Sequence, residues 1–110
     1  MTSVAYEQEG DVFRLAVLGH AGYAEDGGPD IVCSAVSMLC CTVVRCMEEA
    51  RECEDLVHLE LVVKSGEVRV ECEAALGCRE RLEEVFRVIL VGFGLLQEKY
   101  PGVVDLRKSK

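Results

Sequence analysis

Twice along this chain, a pair of short segments with a two-residue alternation gives way to one long run of helical spacing. Alternation by two places side chains on opposite faces of a strand, whereas recurrence every three to four residues places them on one face of a helix. The first pair is Val4-Ala5-Tyr6 and Val12–Leu18, joined by a polar turn over residues 7–11. In the second of these segments Phe13, Leu15 and Val17 alternate with Arg14 and Ala16. The later pair sets Val57, Leu59, Leu61 and Val63 against His58, Glu60 and Val62, then Val68, Val70, Cys72 and Ala74 against Arg69, Glu71 and Glu73. Ser65-Gly66 between them predicts a tight hairpin turn. The first helical run starts at Pro29-Asp30, with Asp30 as N-cap, and reaches about Cys53. Its early half is apolar nearly all round, which predicts burial on more than one side. The second runs from about Cys78 to Lys99 and ends at Pro101-Gly102, leaving Val103–Leu106 for a last strand.

The order ββαββαβ predicts an α+β fold, a two-layer α/β sandwich. A mainly antiparallel sheet would carry the two helices packed on one face. Its second face would be exposed or covered by a second copy. With 110 residues the chain makes one domain, residues 1–110, with a real core. Half of the residues are hydrophobic and tryptophan is absent, so Val, Leu, Ile, Ala and Cys must build that core. From Val88 to Leu96 the second helix is apolar all round and holds Gly92 and Gly94, which reads as core plus a partner surface. The longest uncharged run after Arg87, Val88–Gln97, is about half of what a bilayer requires, so no membrane segment is expected.

The net charge of -8 excludes nucleic-acid binding that relies on a basic surface. Only Arg107-Lys108-Ser109-Lys110 is locally basic, and it reads as a frayed end. The seven cysteines include an adjacent pair, Cys40-Cys41, and no C-x-x-C. With no signal peptide in view, they predict free thiols in a reducing cytoplasm and no metal site. Cys40, Cys41, Cys46, Cys72 and Cys78 read as small core hydrophobes. His58 reads as a solvated residue on a polar strand face.

Chemistry concentrates where the glycine-rich segment 19–29 meets the first helix. Cys33 falls in the first helical turn, where unpaired amides and the helix dipole favour a thiolate. His20, on the glycine-rich side, could accept its proton if the chain folds back over the helix start. Asp30 has two competing roles, capping the helix or orienting His20, and its charge near the thiol opposes the dipole. Ser37 lies one turn after Cys33 on the same face. The amides near Cys33 and Ser34 are candidate oxyanion donors.

Gly19-His20-Ala21, the glycine-rich loop and Asp30-Ile31-Val32-Cys33-Ser34-Ala35-Val36-Ser37 resemble the ribosomal-processing cysteine protease family (Prp). The resemblance covers essentially the whole chain. It implies a cytoplasmic endopeptidase, a homodimer without cofactor. Its substrate would be a large-subunit ribosomal protein, number twenty-seven, from which it removes a basic N-terminal extension. By motif position Cys33 would be the nucleophile and His20 the general base, with Asp30 and Ser37 assisting and Gly19 shaping the backbone beside His20. The family's loop, about residues 19–29 here, is mobile and orders on substrate, which suits Gly22, Gly27 and Gly28. The alternative is a non-catalytic homodimeric binding module in ribosome assembly.

Overall fold

The computed structural model describes residues 1–20 and 30–109. Among them the elements follow as β1 (Thr2–Glu9), β2 (Val12–Leu18), α1 (Ile31–Glu52), β3 (Leu56–Lys64), β4 (Glu67–Ala74), α2 (Arg79–Lys99) and β5 (Val104–Ser109). The strands form one sheet in the order β3-β4-β2-β1-β5. Neighbours pair antiparallel except β5, which runs parallel to β1. This is the α+β, two-layer architecture that the alternating periods predict.

Both helices cover one face of the sheet. From below come Val4, Phe13, Leu15, Val17, Val70 and Cys72, and from above the α1 stripe Val32, Val36, Cys40, Val43 and Met47. The α2 stripe Leu82, Phe86, Ile89, Leu90, Phe93 and Leu96 completes the core. Phe86 stacks on Phe13 with ring centroids 5.3 Å apart and also meets Tyr6 at 5.4 Å, so these three rings form one cluster. Gly92 is where the helices approach closely. A Cβ there would stand 2.7 Å from Leu39 Cδ2, whereas at Gly94 the nearest atom would be at an ordinary 3.9 Å.

The opposite sheet face is polar. Arg14 bridges Glu7 and Glu71 at 3.3 and 3.2 Å, and His58 lies 3.5 Å from both Glu60 and Glu71. Exposed pairs of this kind add little stability, but they keep that face compatible with water.

Several expectations change. Residues 7–9 belong to β1 rather than to a turn, because Glu7 and Glu9 occupy its outward positions. The basic tail is not frayed over residues 107–109, where Arg107, Lys108 and Ser109 pair with Ala5, Tyr6 and Glu7, while Lys110 lies outside the described residues. A register shift between Leu56 and His58 puts Leu56 in the core and leaves Val57 64% exposed. α1 is buried along one stripe only, with Ile31 and Met38 outside. By length and hydropathy alone α1 is long and apolar enough to cross a membrane, contrary to the expectation above, although here its buried stripe packs on the sheet. All seven cysteines are free, and Cys40 and Cys72 are core residues, but Cys41 is exposed.

Candidate active site

The site grows from the first turn of α1. Asp30 is extended (φ -108°, ψ 104°), and its Oδ1 accepts from the amides of Val32 and Cys33, both at 3.0 Å. Its carbonyl accepts from the Ser34 amide at 3.0 Å and from the Ser34 hydroxyl at 3.1 Å. This is N-cap geometry, in which one side chain satisfies two otherwise orphaned donors. It also corrects one expectation. The amides of Cys33 and Ser34 are already taken up by Asp30, so an oxyanion would need other donors or a displaced cap.

Cys33 is partly buried at the third helical position. Together with Ser37, one turn later and exposed, it lines a groove of about 440 Å³. Gly19 and His20 line the same groove from the end of β2. The fold therefore brings Cys33, His20, Ser37 and Gly19 to one surface, while Asp30 sits at the helix start holding its first turn. Gly22, Gly27 and Gly28 lie outside the described residues.

Local backbone explains why Gly19 precedes the histidine. Its φ is +89°, and a Cβ there would stand 2.5 Å from the Met1 carbonyl oxygen. An L side chain is disfavoured both by that conformation and by that contact. Gly19 N also donates to the Gly66 carbonyl at 2.8 Å, which adds a rung to the β2–β4 ladder just before His20.

Three cysteines line the groove, namely Cys33, Cys40 and Cys41. Burial, with a smaller effect from Cys41, pushes the Cys40 thiol up to about 11. It stays protonated near neutrality and is a poor nucleophile. Cys33 alone among the three has the helix N-terminus beneath it.

Two groove features carry no sequence signal. Thr2 is fully buried, lines the groove, and its hydroxyl has no hydrogen-bond partner among the described residues. The β3–β4 turn supplies Lys64, Ser65, Gly66 and Glu67 as a second wall. Both arrive through the sheet order, which sets Ser3 of β1 and Glu67 of β4 opposite Leu18 from its two sides. The groove mouth is charged: Lys64 lies 3.8 Å from Glu67, which Arg69 holds at 2.7 Å. That hydrogen bond keeps the Glu67 carboxyl below its ordinary range. On the far side of the sheet, His58, Glu60 and Glu71 bring potential metal-ligating atoms within 4.8 Å. Arg14 already engages Glu71 there, and the cluster reads as an exposed charge network.

The sequence profile of the family described as cysteine protease Prp matches residues 1–105. No curated protein sequence matches the chain. Among solved structures, the S. aureus ribosomal processing protease Prp with a covalently linked product peptide superposes with a TM-score of 0.74 at 18% identity. That comparison covers 99% of this chain and 100% of the other. The same S. aureus protein with a substrate peptide gives a TM-score of 0.70 at 15% identity, again over 99% and 100% of the two chains. SMU.848 from Streptococcus mutans gives 0.66 at 23% identity, over 99% of each. At these identities the superpositions speak for a shared fold.

Proposed function

The chain belongs to the Prp family of cysteine proteases, and from that premise we propose that it removes the N-terminal extension of large-subunit ribosomal protein number twenty-seven. The observation that carries the reading is the shared groove, where a thiol at a helix N-terminus and an imidazole open onto one surface. In this reading Cys33 Sγ attacks the scissile carbonyl and His20 takes the thiol proton, then returns it to the leaving amine. Water, deprotonated by His20, hydrolyses the acyl-enzyme. Asp30 maintains the first turn beneath the thiol, and Ser37 lies beside it on the groove. A net charge of -8 favours encounter with a basic extension.

A homodimer completes the proposal. α2 carries Val88, Val91 and Leu95 along one stripe, each about half exposed, and apolar stripes of this kind support association.

Incubating the chain with the ribosomal protein of its own host should yield a shortened product by mass spectrometry. Cys33→Ala should abolish cleavage with an unchanged circular dichroism spectrum. His20→Ala should slow it by about 10²–10⁴-fold. Substrate that stays intact at long times would overturn the assignment, and a monomer mass by light scattering would overturn the dimer.

A further inference from the structure

The β3–β4 turn does more than wall the groove, because it touches the histidine. Gly66 has φ +77°, and a Cβ on it would stand 3.0 Å from His20 Nε2 and 3.6 Å from both Cδ2 and Cε1. Its carbonyl already accepts the Gly19 amide at 2.8 Å. On the other side, Gly19 leaves no room for a Cβ against the Met1 carbonyl. The backbone leading into His20 is thus held between the start of β1 and the β3–β4 turn. The imidazole rests against the one residue type that gives it space.

We propose that Gly66 is a positioning residue, setting the place of the His20 imidazole across the groove from Cys33 through direct contact. The proposal rests on the reading of His20 as the general base. A base must come within hydrogen-bond reach of the proton it takes, and a displacement of about 1 Å can lower the rate about 100-fold. A methyl group at 3.0 Å from a ring nitrogen is closer than an ordinary contact, so either the ring or the turn must give by a few tenths of an ångström. Since Gly66 also carries the hydrogen bond to Gly19, moving the turn would carry the histidine's own backbone with it.

Gly10 supplies the control. It lies in the β1–β2 turn at φ +62° with nothing within 4 Å of a built Cβ. Gly66→Ala and Gly10→Ala therefore incur similar left-handed strain, but only the first meets His20. The assay is cleavage of a peptide spanning the ribosomal protein's N-terminal extension, together with the ring-proton NMR signals of the two histidines, His20 and His58. His20→Ala identifies which signals are which.

The expected result is that Gly66→Ala lowers kcat about threefold or more with little change in KM. It should also alter the pH profile of kcat/KM and shift the His20 signals. Gly10→Ala should leave all three as in the parent chain. Equal behaviour of the two variants overturns the positioning role. Full activity in His20→Ala overturns instead the reading of His20 as base, so the two failures are distinguishable. If Gly66→Ala does not fold, the parent chain still decides: a nuclear Overhauser contact between the Gly66 α protons and the His20 ring supports the proposal, and its absence overturns it.

Discussion

Asp30 closes the start of α1 with one side chain, and substitution separates its hydrogen-bond acceptor from its charge. Its Oδ1 accepts from two amides of the first turn, so Asp30→Ala should cost about 1 kcal/mol of stability, within the usual 0.5–2 kcal/mol for a lost cap. Asn offers the same acceptor without the charge. Asp30→Asn should therefore stay within a few tenths of a kcal/mol of the parent. Urea titration reads both variants: a loss in Asp30→Asn as large as in Asp30→Ala would show that the charge, and not the acceptor alone, holds the first turn.

At the scale of elements, β5 shows what local pattern leaves out. Arg107-Lys108-Ser109 has neither apolar alternation nor turn chemistry, yet it pairs in parallel with Ala5-Tyr6-Glu7. Its pairing is decided by β1, about a hundred residues upstream, and by the α2 crossover that returns the chain to that edge. Deleting residues 107–110 removes these rungs. At about 0.5–1.5 kcal/mol net per hydrogen bond, the loss should lower stability by about 1–3 kcal/mol and move the urea midpoint. A frayed tail would leave it unchanged. The same distinction separates what was legible elsewhere. The hairpins, both helices and the Asp30 cap could be read because each is decided by neighbours within a few residues. Likewise Gly19-His20 and Asp30 to Ser37 carry their chemistry in two short stretches. Thr2 and Gly66 could not be read as groove residues, because Thr2 is placed by β1 pairing with β2 and β5, and Gly66 by β4 pairing beside β2. Cys41 was misread as core because α1 is apolar on several faces, and periodicity then cannot tell which stripe the sheet will cover.

For the molecule as a whole, a core built partly from thiols makes the fold sensitive to alkali. Burial pushes the Cys72 thiol up to about 12, with a smaller push from Glu71, and the Cys40 thiol up to about 11. The Tyr6 phenol is also raised to about 12, first by burial and then by Glu83. In the unfolded chain these groups return to 9.0 for the thiols and 10.0 for the phenol. Each folded value lies above its unfolded one, so the native state binds these protons more tightly. The associated stability is fully present below about pH 9. As pH rises through the window from about 9 to about 12, the unfolded chain releases protons that the native chain retains, and stability falls. The ceiling is about 1.4 kcal/mol per pH unit for each group. The growing negative charge on a chain already at -8 acts in the same direction. Urea midpoints should therefore hold level up to about pH 9 and fall from there to about pH 11. Cys72→Ala separates the two causes: it should be less stable at neutral pH because of the cavity it leaves, yet lose less on going to high pH. A slope identical to the parent's would assign the alkaline loss to general charge repulsion rather than to the core thiol.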